Sequence, residues 1–176
     1  MRFGYAMPKR VDICHGYSCA FRTKLNLTAG DGKKFADMFG GAKTPAAERT
    51  AISSAVRYFE ERGYQATGVR DLPKGQFAAS HVKGQMDCVD EATNTRTLLS
   101  YLAERDLLKF HTLLRNDTRG MFLDGRYPHW TAVIRDPDGV KWAVDSWYAP
   151  TGGAPDIMPF SQWSQGGSRI GDALAG

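Results

Sequence analysis

Apolar residues spaced like the turns of a helix first occur after Thr44-Pro45. A threonine hydroxyl followed by proline is typical of an N-cap and the first helical position. The apolar residues that share one face of this segment are Ile52, Ala55, Val56 and Phe59. The pattern predicts a helix that packs on a core, runs to about Arg62 and ends at Gly63.

A second helical pattern begins near Asp87–Cys88 and runs to about Glu104. Its apolar face consists of Val89, Ala92, Leu98, Leu99, Leu102 and Ala103. The spacing again predicts a helix with one buried side, and Cys88 is expected in its first turn.

Apolar runs of strand length follow the second helix. Leu107–Leu114 is predicted as a strand, Asn116–Gly125 is rich in turn residues, and Pro128–Arg135 and Val140–Trp147 are predicted as two further strands. The four residues Asp136–Gly139 between the last two strands are typical of a hairpin turn. Helices followed by antiparallel strands indicate an α+β protein.

The remaining segments are predicted with less regular structure. Residues 1–43 are rich in glycine and polar residues and are interpreted as an N-terminal extension, with a short strand near Phe21–Leu27. Residues 64–84 are predicted as loop, and 164–176 as a loose tail. A helical turn is expected near Phe160–Trp163. The length favours one domain spanning the whole chain.

Composition and charge narrow the range of functions. The 176 residues are 42% hydrophobic and 24% charged, as in an ordinary soluble domain. The net charge of +4 is spread along the chain, which argues against nucleic acid as a partner. No apolar stretch has the length of a membrane span. Met1–Arg10 lacks an apolar signal core, so a cytoplasmic location is expected, or a periplasmic or secreted one if a signal lies upstream.

Three cysteines, Cys14, Cys19 and Cys88, leave at least one thiol without an internal disulfide partner. Cys14 and Cys19 are interpreted as free thiols, as a local disulfide, or as metal ligands together with His15. A metal would need further distant ligands such as His81 or His111, so no metal and no cofactor is predicted. A Cys14–Cys19 disulfide would imply an oxidising compartment and leave Cys88 as the free thiol.

Cys88, His129 and Asp145 form the candidate catalytic set. If Gly139 makes a bulge, Asp136 opposes Val140, Asp145 opposes Thr131, and His129 becomes its diagonal neighbour on the same face. A four-residue loop without the bulge places the His129 and Asp145 side chains on opposite faces. The bulge therefore decides whether an imidazole and a carboxylate can pair.

The chemistry expected of this set is that of a nucleophilic cysteine. The positive end of a helix favours thiolate and so lowers the pKa of Cys88. Asp145 would orient His129, while the Cys88 N–H and the Gln85 side chain would hold an oxyanion. Aromatic residues that would line a groove for a peptide are Tyr127, Trp130, Trp147 and Tyr148.

The segments around these residues resemble a known family. Asp87–Ala92 is similar to the D-C-x-D-x-A helix start of transglutaminase-like cysteine peptidases, Pro128–Val133 to their histidine strand, and Trp142–Ser146 to their aspartate strand. Together they resemble the bacterial transglutaminase-like cysteine proteinase family, over about residues 85–148. Met86 departs from the glycine usual there.

The resemblance implies a papain-like or transglutaminase-like fold, in which a catalytic helix packs on an antiparallel β-sheet. It also implies a Cys88–His129–Asp145 triad that acts on a peptide or protein through an acyl-enzyme. Two alternatives stay open: transglutaminase-type acyl transfer to an amine, and a catalytically inactive binding or scaffold module on the same fold.

Overall fold

The computed structural model describes residues 7–74, 77–120 and 128–166 and shows a mixed α+β protein with antiparallel sheets. A hairpin is formed by β1 (Lys9–His15) and β2 (Phe21–Leu27). The main sheet has the order β3-β5-β6-β7, with β4 also paired to β5. Its strands are β3 (Thr112–Leu113), β4 (Asp117–Arg119), β5 (His129–Arg135), β6 (Lys141–Asp145) and β7 (Asp156–Pro159). The α-helices are α1 (Ala29–Gly40), α2 (Pro45–Thr67), α3 (Cys88–Glu104) and α4 (Phe160–Trp163).

Helix α3 is the centre of the molecule, because it contacts both β1 of the hairpin and β5 of the main sheet. Leu98, Leu99 and Leu102 on its apolar face are fully buried. The helix begins at Cys88 with Asp87 as N-cap, which confirms the prediction for this element. Helix α3 thereby lies between the hairpin and the main sheet.

Helix α2 begins as predicted and ends later than predicted. Thr44 is its N-cap, and the side chain accepts a hydrogen bond from the Ala47 N–H at 3.1 Å. The predicted stop at Gly63 is wrong, since the helix continues to Thr67 and ends on Gly68 with φ +76°. A Cβ at Gly63 would lie 3.9 Å from Ile13 Cγ2, an ordinary van der Waals distance, so a side chain in mid-helix would be accommodated at this position.

The segment interpreted as an N-terminal extension is instead part of the core. The predicted strand at Phe21–Leu27 is confirmed, but β1 and α1 were not predicted. Helix α1 has glycines near its start, and it is initiated by a capping box between Thr28 and Asp31. Core residues from this part of the chain are Val11, Ile13, Leu25, Leu27, Phe35 and Phe39.

The strand predicted at Leu107–Leu114 is reduced to Thr112–Leu113. The backbone N–H groups of residues 109–111 donate to the buried Glu48 carboxylate at 2.6 to 3.1 Å. These groups are therefore not available to a neighbouring strand. A side chain from α2 thus replaces sheet pairing over this stretch.

The segments predicted as turn and loop contain more regular structure than expected. The turn-rich segment contains β4, the predicted loop contains a short 3-10 turn at Phe77–Ala79, and the predicted helical turn is α4. Tyr127 and residues 167–176 of the predicted tail lie outside the described residues. Within the described ranges, no helix is both long and apolar enough to cross a membrane.

The β5–β6 hairpin has the bulge on which the pairing of His129 and Asp145 depends. Gly139 has φ +84°, and the Asp136 N–H donates to the Val140 carbonyl at 2.9 Å. Ala132 pairs with Val144, which is the register that the bulge predicts. Both strands are shorter than predicted, but their relative position agrees with the prediction.

Candidate active site

Cys88 is the first residue of α3, and its position is set by a capping box. The Asp87 side chain accepts from the Asp90 N–H at 2.9 Å, and the Asp90 side chain accepts from the Asp87 N–H at 3.3 Å. The Cys88 side chain is half-buried, and it is the free cysteine of the chain. The local sequence alone is enough to place a thiol at the start of this helix.

The sulfur lies against the backbone on both sides of His129. Cys88 Sγ is 3.9 Å from the Pro128 carbonyl oxygen, to which the thiol donates. The backbone N–H of Trp130 also contacts the sulfur. No hydrogen bond joins Cys88 Sγ to the His129 ring among the described residues, so a preformed thiolate–imidazolium pair is not seen.

His129 and Asp145 form a tight pair at one end of the hairpin. His129 Nε2 lies 2.7 Å from Asp145 Oδ2. The Asp145 carboxylate is only 3% exposed, and it accepts two further hydrogen bonds, from the Trp163 Nε1–H at 2.9 Å and from the Trp147 N–H at 3.1 Å. Three donors from different parts of the chain therefore fix the carboxylate.

This pairing defines the tautomer of a neutral His129. Since Nε2 faces a carboxylate, it is the nitrogen that carries the hydrogen. Nδ1 is then a free base, and no described residue forms a hydrogen bond to it. The ring is thus oriented with its basic nitrogen available to a proton donor.

Aromatic side chains enclose the His129 ring. The ring centroids of Trp147, Trp163 and Tyr148 lie 4.6, 5.7 and 5.8 Å from it. Arg119 holds two of these residues together by donating to the Trp163 carbonyl at 2.6 Å and to the Tyr148 hydroxyl at 2.7 Å. The enclosure limits access of water to the His129–Asp145 hydrogen bond and so strengthens it.

Burial raises the pKa of the Cys88 thiol to about 11. The Trp130 N–H opposes this effect, while the nearby charges of Asp87 and Asp145 add to it. The expected lowering of the pKa by the helix N-terminus is therefore wrong for the resting protein. Burial is the main cause of the difference, and the charge of the acidic N-cap adds to it by offsetting the positive end of the helix.

The remaining predicted site residues separate into two groups. Trp147 contacts His129, and Trp130 is next to the sulfur and 38% exposed, so both lie at the site. Gln85 does not take the oxyanion position, because its amide donates to the Arg70 carbonyl at 3.1 Å and accepts from the Leu72 N–H at 3.3 Å. It ties the preceding loop to the start of α3.

Cys14 and Cys19 form a disulfide, which confirms one of the three interpretations left open by the sequence. Sulfur atoms of both cysteines and a carboxylate oxygen of Asp90 lie within 4.8 Å of one another. Sulfurs in a disulfide are not thiolates, so they are poor metal ligands in this state. His15 is not part of the cluster, since its ring nitrogens bond to Gly84 and Thr23.

Three carboxyl groups lie behind the site around a cavity of about 30 Å³. Glu91 is on α3, one turn after Cys88, and accepts from the Ser146 hydroxyl at 3.1 Å. Glu60 accepts from the Gly152 N–H at 2.7 Å. Burial raises the pKa of Glu60 to about 8 and that of Asp71 to about 6, and it raises the pKa of Glu91 well above its usual range.

Two residues of the site were not predicted from the sequence. Trp163 had been assigned only to a helical turn, and Arg119 to a turn-rich segment. Both are distant in sequence from Asp145 and carry no motif. The paired positions of Arg119 and His129 on β4 and β5 could be found only once the strand pairing was known.

Comparison with protein-family models, curated proteins and solved structures found no match to this chain.

Proposed function

We propose that this protein is a cysteine-dependent amide hydrolase with a papain-like or transglutaminase-like fold, acting on a peptide or protein substrate. The observation that carries the proposal is the buried His129–Asp145 pair at 2.7 Å, beside a cysteine at a helix start. A helix packed on the strands that carry the histidine and aspartate supports the same fold.

The reaction would begin with transfer of the Cys88 proton to His129 Nδ1 as the sulfur attacks the substrate carbonyl. The oxyanion would be held by the Cys88 N–H, which has no intrahelical acceptor at the first position of α3. His129 would then give its proton to the leaving amine, and water would hydrolyse the acyl-enzyme. Asp145 stabilises the imidazolium that forms between these steps.

The raised pKa of Cys88 favours a concerted form of this reaction. A thiol with a pKa of about 11 stays protonated at neutral pH until a substrate carbonyl is in place. Its attack therefore depends on His129 acting as general base in the transition state. We expect slow alkylation of the resting thiol and faster acylation by a substrate that fits the site.

Acylation by p-nitrophenyl acetate tests the proposal. We expect a burst of one equivalent of nitrophenolate and an acetyl group on the peptide that contains Cys88, detected by mass spectrometry. Cys88→Ala abolishes the burst, and His129→Ala slows it by roughly 10² to 10⁴-fold, as loss of a general base does. A burst that survives in Cys88→Ala, or no acylation with any ester or amide tried, contradicts the proposal.

His81→Ala is the matched control, because His81 is an exposed histidine whose ring contacts Ser80 rather than the site. This variant should keep the full burst. Addition of a primary amine separates the two acyl acceptors: faster release of the acyl group to the amine indicates transglutaminase-type transfer, and no effect indicates hydrolysis.

A binding or scaffold module without turnover is the second candidate. It is favoured by the missing hydrogen bond between the sulfur and the imidazole and by the raised pKa of Cys88. In that case Cys88→Ala keeps both peptide binding and biological effect, whereas under the hydrolase proposal it loses the effect and keeps only the binding.

A further inference from the structure

The Cys14–Cys19 disulfide closes a turn with an uncommon backbone. Residues 16–19 have φ values of +81°, +72°, +49° and +54°, so four successive residues are left-handed. Only the first of them is a glycine, and the other three carry side chains that disfavour this conformation. Residues 14–19, called the disulfide turn below, must therefore be held by other contacts.

The disulfide turn directs its N–H groups at the start of α3. The Tyr17 and Cys19 N–H groups donate to the Asp90 carboxylate at 2.8 and 2.6 Å, and the Ser18 N–H donates to Asp87 at 3.0 Å. Successive N–H groups in such a turn form a concave site for an anion. Here the acceptors in that position are two carboxyl side chains of the same protein, Asp87 and Asp90.

Asp87 and Asp90 are also the two members of the capping box at Cys88. Asp90 is fully buried, and its carboxyl group accepts from the Tyr17, Cys19 and Asp87 N–H groups. Without the disulfide turn it would keep only the Asp87 N–H of these three donors. The turn is further attached to α3 by Asn94, whose side chain bonds to the N–H and the carbonyl of Cys14 at 2.8 Å each. The residues that cap the helix at the thiol are thus bonded to the turn that the disulfide closes.

We propose that the disulfide turn positions Cys88 through the carboxylates of Asp87 and Asp90, and that reduction of the disulfide releases Cys88 from the site. Asp87 and Asp90 are therefore positioning residues for the thiol. The consequence for acylation rests on the proposed function, whereas the change in the environment of Cys88 does not.

The reduction is an ordinary exchange with a dithiol. A thiolate of the reductant attacks Cys19 Sγ, since Cys19 is half-buried and Cys14 is 1% exposed. The S–S bond breaks, Cys14 leaves as a thiolate and takes a proton. The second thiol of the reductant then displaces Cys19, so that two electrons and two protons pass to the turn and the dithiol becomes a disulfide.

The test compares the oxidised protein with protein that has been reduced by dithiothreitol. The reductant is removed under anaerobic conditions, and the reduced protein is kept in a buffer that contains a chelator. Iodoacetamide labelling of each cysteine is followed by peptide mass spectrometry over a range of pH. Reduction should raise the rate at Cys88 at neutral pH roughly fivefold or more, equivalent to about 1 kcal/mol, the usual cost of a lost N-cap. The midpoint of the pH–rate profile should fall from about 11 toward the ordinary thiol value.

Acylation by p-nitrophenyl acetate is the second readout. In the oxidised protein it should depend on His129, and after reduction His129→Ala should make little difference. If no form is acylated, the proposed function fails, but the labelling result still decides whether the turn positions Cys88.

Two variants control the comparison. Cys14→Ser/Cys19→Ser should label at Cys88 like the reduced protein and should not respond to dithiothreitol. Asp90→Asn keeps the disulfide but weakens its contact with α3, so it should raise the labelling rate without reductant. Equal rates and midpoints in the oxidised, reduced and double-serine forms overturn the proposal. If the reduced form loses its far-UV circular dichroism, the oxidised Asp90→Asn variant decides instead. A labelling rate at Cys88 equal to that of the unmodified oxidised protein then overturns the proposal.

Discussion

Asp145 is the most constrained residue of the candidate site. Its carboxylate accepts hydrogen bonds from the imidazole of His129, the backbone of Trp147 and the indole of Trp163. These donors come from β5, from the segment after β6 and from α4. The orientation of His129 therefore depends on a tryptophan that is remote in sequence.

Trp163→Phe tests this dependence, because it keeps an aromatic ring and removes the indole donor. We expect the free energy of unfolding to fall by about 1.5 to 3 kcal/mol, as for hydrogen bonds to charged groups, and acylation to slow. Urea unfolding and the nitrophenolate burst measure the two effects.

Trp142→Phe is the matched control, since the Trp142 indole donates at 3.0 Å to Asp136 in the hairpin turn away from the site. This variant should leave acylation unchanged. If the two substitutions slow acylation equally, Trp163 has no special role in holding Asp145.

The backbone conformation of one glycine in the β5–β6 hairpin determines the geometry of the site. Gly139 has φ +84°, and the resulting bulge sets the register that brings Asp145 and His129 to one face. A Cβ at this position would meet no atom within 4 Å. The effect of a substitution there is thus one of backbone conformation and not of packing.

Gly139→Val and Gly139→Asn should therefore differ, although both add a side chain of moderate size. Asparagine tolerates a positive φ, and we expect it to lower stability by less than about 0.5 kcal/mol. Valine is β-branched, and its cost should be about 1 to 2 kcal/mol or more, with a slower burst if the register shifts. Equal urea midpoints for the two variants would show that the bulge is not required.

The packing of α2, α3 and the loop between them brings acidic groups together inside the molecule. Glu60, Asp71 and Glu91 come from these three segments, and burial raises the pKa of each of them. The charges of the neighbouring members of this group add to the effect for Glu60 and Glu91, whereas for Asp71 the added charge is that of Asp87. Burial likewise raises the pKa of Asp90 to about 7. The folded protein therefore holds protons that the unfolded chain releases.

Stability should fall as pH rises from about 4 to 8. Above the unfolded pKa of about 4, the unfolded chain binds fewer protons than the folded state until the folded pKa values of about 6, 7 and 8 are passed. The slope of the unfolding free energy against pH is negative over that window. Urea midpoints measured across it test the sign, and a midpoint that rises with pH contradicts this account.

Glu60→Gln should flatten the slope of the unfolding free energy against pH at its alkaline end, because the variant has no proton to lose there.

Asp31 acts in the opposite direction. Although burial raises the pKa of Asp31, hydrogen bonds from Arg62 and Tyr58 lower it to about 2. The stability that ionised Asp31 contributes is present above its pKa in the unfolded chain and is lost as pH falls toward 2. The two effects together place the maximum of the unfolding free energy near pH 4 to 5.

Local sequence determined the features that neighbouring residues can form without the rest of the fold. The Thr44-Pro45 start of α2, the capped start of α3 at Cys88 and the bulged turn at Gly139 each depend on a few adjacent residues. The pairing of His129 with Asp145 followed from that turn, because register is set by the hairpin loop. This is why the candidate triad could be chosen from the sequence.

Only the tertiary structure decided what surrounds those residues. Trp163 on Asp145, the disulfide turn on Asp87 and Asp90, and Glu48 on the 109–111 backbone join segments that are distant in sequence. Periodicity carries no record of such contacts, because they satisfy polar groups rather than bury an apolar face. The raised pKa of Cys88 has the same origin, since burial by the fold outweighs the local effect of the helix start.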